Sequence, residues 1–116
     1  MSALLAALLG LSASLILATP AQASSADCYT STVCLWEHSD FTGQLWRQYP
    51  AQITPCRSFV PDGFNDEATR IWNRSDKVIN IYEHANCKGR GKAIFPGEGV
   101  NFDNTFFNDV ATSINY

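Results

Sequence analysis

The sequence predicts an all-β protein, a single-domain antiparallel β-sandwich built from two four-stranded Greek-key motifs. One observation behind this prediction is a segment of eight residues that occurs twice. Residues 64–71 return as residues 107–114 with six identities, at an offset of 43 positions (107 minus 64). The other observation is that no stretch has a sustained helical period, whereas short β-rich runs alternate with Gly, Pro and Asn turns. Many short strands separated by such turns are typical of a sandwich.

A second pair of echoes precedes the two copies. Residues 36–43, which begin Trp-Glu-His, return as residues 82–89, which begin Tyr-Glu-His, at an offset of 46 positions (82 minus 36). Two signals that recur in the same order at nearly the same offset indicate an internal duplication. The duplication places Greek key one at about residues 32–74 and Greek key two at about residues 77–116.

The first 23 residues carry no charged side chain and have the pattern of a secretory signal. An apolar stretch from Leu4 to Leu17 is followed by Thr19-Pro20 and then by Ala21-Gln22-Ala23. The stretch is too short for a membrane span, and an A-x-A ending is typical of a cleavage site. We therefore expect cleavage after Ala23, secretion, and a monomeric domain at residues 24–116 that is not anchored in a membrane.

The charge balance argues against one class of partner. Every charged side chain lies after the predicted cleavage site, so the net charge of −3 belongs to the domain. Phosphate neutralisation by Lys and Arg supplies most of the affinity for nucleic acids, and an acidic domain without a basic stripe lacks this term. We therefore expect no nucleic-acid partner.

The four cysteines all fall in the domain. An even number of cysteines in a small exported domain indicates two disulfides. Three connectivities are possible for four cysteines, and the sequence alone does not choose among them. We expect Cys28 to pair with Cys34, which closes a short loop before the first strand, and Cys56 to pair with Cys87.

Residue alternation and β-propensity predict the strands. Clear strand patterns occur at Val33–Trp36, Gln44–Tyr49, Thr69–Asn73, Lys77–Tyr82, Lys92–Phe95 and Ala111–Tyr116. Between them we expect a glycine-bearing turn at His84–Gly91 and an aromatic-rich connection at Val100–Phe107.

The section after Pro50 has a different character. Pro55 and Pro61 interrupt it, so we expect a loop with at most short strands. Phe59 and Phe64 are the side chains expected to anchor this loop to the core.

The two repeats resemble the βγ-crystallin Greek key, whose pattern is aromatic-x-x-x-x-aromatic-x-Gly followed later by Asn/Asp-Asn/Asp-x-x-Ser/Thr-Ser. The matching positions are Trp36, Phe41 and Gly43 in unit one and Tyr82 and Gly89 in unit two, where Cys87 replaces the second aromatic residue. The glycine permits the backbone torsion of a folded hairpin, and the aromatic pair would pack against that hairpin. The last Ser of the motif would hold the hairpin down. Ser113 stands there in unit two, but Arg70 stands there in unit one, so we expect the first hairpin to be held less firmly.

The resemblance also implies two calcium sites between the Asn/Asp-rich loops of the two units. Thr69 and Thr112 would supply hydroxyl ligands. Main-chain oxygens would come from Glu67 and Val110, negative charge from Asp66 and Asp109, and the completing ligands from Glu37 and Glu83 of the other unit. An all-oxygen set suits Ca²⁺ rather than Zn²⁺ or Cu²⁺. The alternative is that the Asn-Asp pairs only shape the loop turns through hydrogen bonds to the backbone.

No pattern of catalytic residues stands out. His38 and His84 follow a Glu at equivalent positions, but a transition-metal site needs further convergent ligands, so we expect exposed hairpin residues. The sequence contains no G-x-S-x-G elbow, no H-E-x-x-H motif and no catalytic Cys signature. We therefore expect a protein that is not an enzyme.

The leader followed by Cys-x5-Cys-Leu-Trp-Glu resembles the secreted actinobacterial metalloproteinase-inhibitor family, whose members are single crystallin-like domains with two disulfides. This resemblance implies an inhibitor of extracellular, thermolysin-like metalloproteinases that presents a rigid loop, so that little ordering is needed on binding. The candidate loops are Pro50–Phe64 and Pro96–Phe106, and residue type does not choose between them. Two other functions fit the same fold. One is a calcium-binding structural or stress-related module without a protease target, and the other is a killer-toxin-like antagonist of competing microbes.

Overall fold

The computed structural model of the protein describes residues 24–116, so the predicted signal sequence lies outside the described residues. This part of the chain forms short strands joined by turns. In chain order the strands are β1 (Val33–Trp36), β2 (Leu45–Gln48), β3 (Arg57–Ser58), β4 (Arg70–Asn73), β5 (Ile79–His84), β6 (Lys88–Ile94), β7 (Gly99–Asn101) and β8 (Ser113–Asn115). The helical segments within it are 3₁₀ turns at Ser25–Asp27, Pro50–Ile53 and Ala85–Cys87. No helix in residues 24–116 is long and apolar enough to cross a membrane.

The strands form two four-stranded antiparallel sheets that enclose one core. Sheet one has the order β2-β1-β4-β7, and sheet two has the order β3-β8-β5-β6. Each half of the chain gives one strand to the other half's sheet. β3 pairs with β8, with Ser58 opposite Ser113, and β7 pairs with β4, with Val100 opposite Ile71. The prediction of an all-β sandwich of two Greek keys is confirmed.

Two segments differ from the prediction. Residues 88–91 were expected to lie in a turn, but they form the first half of β6. Their Lys-Gly-Arg-Gly composition has little intrinsic β-propensity, and pairing with β5 around a bulge between Tyr82 and His84 holds them extended. For the same reason β5 ends at His84 rather than Tyr82. Gly99–Asn101 forms β7 at the start of the expected connection because it pairs with the free edge of β4.

Aliphatic and aromatic side chains fill the space between the sheets. Phe59 and Phe64 are fully buried there, so they anchor the irregular section after Pro50. Phe59 packs edge-on against Trp46, with ring centroids 4.9 Å apart, and lies 5.9 Å from the ring of Phe64. Such edge-to-face pairs add to the stabilisation that burial provides.

A second, smaller cluster lies on the outer face of sheet one, because β1 is buried on both faces. Val33 and Leu35 face the main core, whereas Trp36 and the disulfide-bonded pair Cys28 and Cys34 form the second cluster. The disulfide therefore fastens the segment before β1 over this sheet.

The other disulfide joins Cys56 to Cys87, which is the pairing expected from the sequence. Cys56 directly precedes β3, and Cys87 lies in the turn between β5 and β6. The bond therefore links the loop after Pro50 to the hairpin of the second unit.

Candidate functional site

The candidate site lies where the Asn/Asp-rich segments of the two units meet. We call residues 65–69 and residues 108–112 the Asn-Asp loops. The hydroxyl of Thr69 donates to Oδ1 of Asp109 (3.3 Å), and the hydroxyl of Thr112 donates to Oδ1 of Asp66 (3.4 Å). The structure thus brings each of these threonines to an aspartate of the opposite unit.

Backbone hydrogen bonds between the loops repeat the same symmetry. The Asp66 N–H donates to the Ala111 carbonyl (3.2 Å), and the Asp109 N–H donates to the Ala68 carbonyl (3.0 Å). Both aspartates adopt the left-handed backbone conformation, with φ of 57° and 55°. Asp is one of the few residue types other than Gly that tolerate this conformation. The Asp of each duplicated Asn-Asp pair therefore helps to set the backbone conformation of its loop.

The hairpin backbones contact these loops directly before the two glutamates. The N–H of Thr69 donates to the carbonyl of Trp36, and the N–H of Thr112 donates to the carbonyl of Tyr82, both at 2.9 Å. Each carbonyl belongs to the residue directly before a hairpin glutamate. Along the backbone, Glu37 and Glu83 are thus each adjacent to the residue that binds the threonine of the same unit.

One oxygen of each glutamate is already engaged in its own hairpin. Oε1 of Glu37 accepts the N–H of Gln44 (3.0 Å), and Oε1 of Glu83 accepts the N–H of Arg90 (2.9 Å). His38 and His84 lie next to these carboxylates, at 3.8 Å and 3.6 Å, and their side chains are 58% and 67% exposed. The histidines are therefore exposed hairpin residues, as the sequence predicts.

The candidate ligand atoms at the site are oxygens, which is the ligand type that a hard cation prefers. Oδ1 of Asn65 and Oδ1 of Asn108 are buried and have no hydrogen-bond partner, at equivalent positions of the two loops. A buried amide oxygen without a partner is costly, so each position can accept an ion or a water. No group of three or more His, Cys, Asp or Glu side chains within residues 24–116 is arranged to hold a metal. A cation here would depend largely on neutral oxygens and water, and such a donor set favours Ca²⁺ and weak binding.

The two hairpins are held down by different side chains. In unit two, the hydroxyl of Ser113 donates to the carbonyl of His84 (2.5 Å) and accepts the N–H of Cys87 (2.9 Å). In unit one, Nη1 of Arg70 donates to the carbonyl of Ser39 (3.1 Å). The sequence did not predict this contact, because a long flexible side chain carries no local signal of where its end will lie.

The aromatic ring of the first hairpin completes this arrangement. Phe41 packs edge-on against Trp36 with centroids 4.9 Å apart, and the guanidinium of Arg70 lies 4.3 Å from the centre of the Phe41 ring. In unit two, Cys87 occupies the position of Phe41 and forms the disulfide to Cys56. At this position unit two has the Cys56–Cys87 disulfide, whereas unit one has the contact between Arg70 and the Phe41 ring.

Comparison with known families identifies the group to which this domain belongs. A family model described as peptidase inhibitor family I36 matches residues 21–94, more than half of the chain. The chain belongs to peptidase inhibitor family I36. This membership indicates an inhibitor of proteinases rather than an enzyme. No curated protein matches the chain.

Solved structures with the same architecture are βγ-crystallin domains. A structure described under the evolution of the eye-lens βγ-crystallin domain fold has a TM-score of 0.67 and 17% identity, covering 82% of this chain and 93% of its own. A βγ-crystallin from Ciona intestinalis has a TM-score of 0.59 and 19% identity, covering 72% and 96%. A βγ-crystallin from an archaeon has a TM-score of 0.57 and 21% identity, covering 75% and 98%. At these identities the likeness shows the fold alone, and that fold is the βγ-crystallin domain.

The loop Pro50–Phe64 is fixed by a clamp on Asp62. Its carboxylate accepts two hydrogen bonds from Arg57 (3.0 and 2.8 Å) and one from Nε1 of Trp46 (2.9 Å). The hydrogen bonds from Arg57 lower the pKa of Asp62 against the opposing effect of burial, and the bond from Trp46 lowers it further. The carboxylate of Asp62 is therefore ionised at neutral pH, and its ion pair with Arg57 is formed there.

The tip of this loop exposes the side chain of Val60. Val60 is 59% exposed, whereas the preceding residue, Phe59, is fully buried. The carbonyl of Phe59 accepts the N–H groups of Asp62 and Phe64, both at 3.1 Å, and closes the turn. Val60 is thus exposed on a segment that is restrained by the buried ring of Phe59 and by the ion pair between Arg57 and Asp62.

The loop Pro96–Phe106 is held differently. Phe106 is 41% exposed, and the N–H of Phe102 donates to the carbonyl of Thr69 (2.6 Å). Within residues 24–116, this loop takes part in neither of the two disulfides nor in an ion pair. Pairing of β7 with β4 and the buried ring of Phe102 hold it instead.

Proposed function

We propose that this protein is a secreted inhibitor of extracellular metalloproteinases that presents the loop Pro50–Phe64 to the protease. Membership of a peptidase inhibitor family supports inhibition, and the resemblance of the leader and the first cysteines favours a metalloproteinase as the target. The observation that carries the choice of loop is the exposed Val60 on a segment restrained by the Asp62 clamp and the Cys56–Cys87 disulfide. A loop that is already ordered loses little conformational entropy on binding, which favours affinity.

The first prediction tests this loop with two matched substitutions. We expect Val60→Asp to weaken inhibition of a thermolysin-type enzyme at least about tenfold, because it places a charge at an apolar contact. Val78→Asp is the control, since Val78 is also an exposed valine but lies outside both candidate loops. The measurement is the inhibition constant of each variant, with melting temperatures to verify folding.

Each result has a definite meaning for the proposal. If Val60→Asp still inhibits fully, Pro50–Phe64 is not the loop that contacts the protease, and Pro96–Phe106 becomes the candidate. Absence of inhibition by the unaltered protein against metallo-, serine and cysteine proteinases would contradict the inhibitor function. A structural module would then show no further activity, whereas a microbial antagonist would inhibit growth of competing bacteria.

We further propose that the Asn-Asp loops bind two calcium ions that stabilise the domain. Thr69 and Thr112 would contribute hydroxyl oxygens, and Asp66, Asp109, Glu37 and Glu83 would contribute negative charge beside the main-chain oxygens of Glu67 and Val110. Support comes from the symmetric contacts between the loops and from the buried, unpartnered amide oxygens of both loops.

The second prediction concerns calcium titration of the disulfide-intact protein. At a hundredfold excess over the dissociation constant, we expect an increase of about 2.7 kcal/mol in the free energy of unfolding for each ion bound. Thr69→Val and Thr112→Val should each reduce the bound calcium, because the hydroxyl is lost while the shape is nearly kept. Thr54→Val is the control, because Thr54 lies outside the two Asn-Asp loops. If calcium gives no heat of binding and leaves the melting temperature unchanged, the calcium proposal is wrong and the Asn-Asp pairs only shape the loop turns.

A further inference from the structure

A cleft separates the edge strand β6 of sheet two from the segment that follows β7. Its volume is about 370 Å³, within the range of about 300–1,000 Å³ that is usual for small-molecule sites. Its lining includes no residue of the Pro50–Phe64 loop. The side chains that matter for its chemistry are Val100, Phe102, Phe106, Phe107, Arg90 and Lys92.

One wall of the cleft is aromatic. Phe102 is fully buried and Phe107 is 6% exposed, with ring centroids 6.2 Å apart. Phe106 packs edge-on against Phe107 at 5.3 Å and remains 41% exposed. Phe106 is therefore the one ring of the three that offers an exposed apolar surface, and Phe102 and Phe107 form the buried layer behind it.

The opposite wall carries two positive charges. Lys92 pairs with Ile81, which faces the core, and residues directly opposite each other in an antiparallel pair share a face. The side chain of Lys92 therefore points toward the space between the sheets. Arg90 lies two residues earlier on the same face, and its guanidinium lies 3.7 Å from the centre of the Phe106 ring.

No carboxylate neutralises these charges in the described part of the chain. Neither Arg90 nor Lys92 forms an ion pair there, and no acidic residue lines the cleft. The carboxylate of Glu83 is nearby, but it accepts the backbone N–H of Arg90. In a protein with a net charge of −3, two cations without an ion-pair partner lie here beside the exposed ring of Phe106.

We propose that this cleft binds a small organic carboxylate that carries one aromatic or branched aliphatic group. The exposed ring of Phe106 and the side chain of Val100 receive the apolar group, and Arg90 and Lys92 bind the carboxylate through charge-assisted hydrogen bonds. The cleft shares no lining residue with the Pro50–Phe64 loop or with the Asn-Asp loops. The competing explanation is that inward-pointing charges only protect an edge strand against pairing with another chain.

The test is an NMR titration of the disulfide-intact protein with N-acetylphenylalanine. We expect amide shifts confined to residues 88–94 and 99–107. N-acetylphenylalaninamide keeps the ring without the charge, and acetate keeps the charge without the ring. Both should bind about tenfold more weakly or worse, because each loses one of the two interactions.

Matched charge removals complete the test. Arg90→Gln and Lys92→Gln should each weaken binding of N-acetylphenylalanine about fivefold or more, whereas Lys88→Gln, on the same strand but outside the lining, should leave it unchanged. Melting temperatures verify that each variant is folded. Equal binding of the acid and the amide, shifts elsewhere, or no shift at millimolar probe would overturn the proposal and leave edge protection as the role of the two cations.

Discussion

At the scale of single residues, the duplicated glycines explain why the hairpin motif occurs twice. Gly43 and Gly89 have the same φ of 82°. A Cβ at Gly43 would lie 2.5 Å from Oε1 of Glu37 and 2.7 Å from the ring of His38, and one at Gly89 would meet His84 at 2.5 Å. Each glycine therefore serves two needs, a left-handed torsion and room for the glutamate and histidine that fold over it.

The third prediction separates these two needs. Gly97 has φ of 83°, but a methyl group added there would have no atom within 4 Å, so Gly97→Ala tests the torsion alone and should cost about 1 kcal/mol. Gly43→Ala should cost about 1–3 kcal/mol more, because it also displaces Glu37 from its bond to Gln44. The measurement is denaturant unfolding of both variants. Equal losses would mean that the hairpin adjusts freely around the added methyl group.

At the scale of secondary-structure elements, the two disulfides restrain very different lengths of chain. Cys28 and Cys34 are separated by 6 residues, whereas Cys56 and Cys87 are separated by 31. The longer bond ties β3 to the turn between β5 and β6, and so to the unit that contributes the rest of sheet two. It also restrains the base of the loop that carries Val60.

The fourth prediction follows from these separations. By the chain-entropy model, removal of the longer bond in Cys56→Ala/Cys87→Ala should cost about 3–4 kcal/mol of unfolding free energy, against about 2 kcal/mol for Cys28→Ala/Cys34→Ala. Urea unfolding of both double variants measures the difference. A larger loss from the shorter bond would show that packing of the cluster around Trp36 outweighs chain entropy.

At the scale of the whole molecule, the exchange of strands makes the two units interdependent. β3 of the first unit completes sheet two, and β7 of the second unit extends sheet one. The Asn-Asp loops also complement each other across the units through the Thr69–Asp109 and Thr112–Asp66 contacts. The duplicated sequence therefore encodes one cooperative domain rather than two.

The fifth prediction is that neither unit folds alone. Separate fragments 24–75 and 76–116 should show no cooperative thermal transition at low concentration, because each lacks a strand of its sheet and half of the core. Mixing them under oxidising conditions should restore a transition through the Cys56–Cys87 bond. A cooperative transition in either isolated fragment, followed by circular dichroism, would contradict this interdependence.

Local patterns in the sequence were enough to predict the number of units, the sandwich and most of the strands. Those features depend on residue period, on turn chemistry and on a repeat, all of which can be read along the chain. Tertiary structure alone decided the exchange of β3 and β7, the extended conformation of residues 88–91, and the contact of Arg70 with Ser39. Each of these depends on a partner distant in sequence. β-Strand pairing and the reach of a long side chain are set by that partner rather than by local propensity.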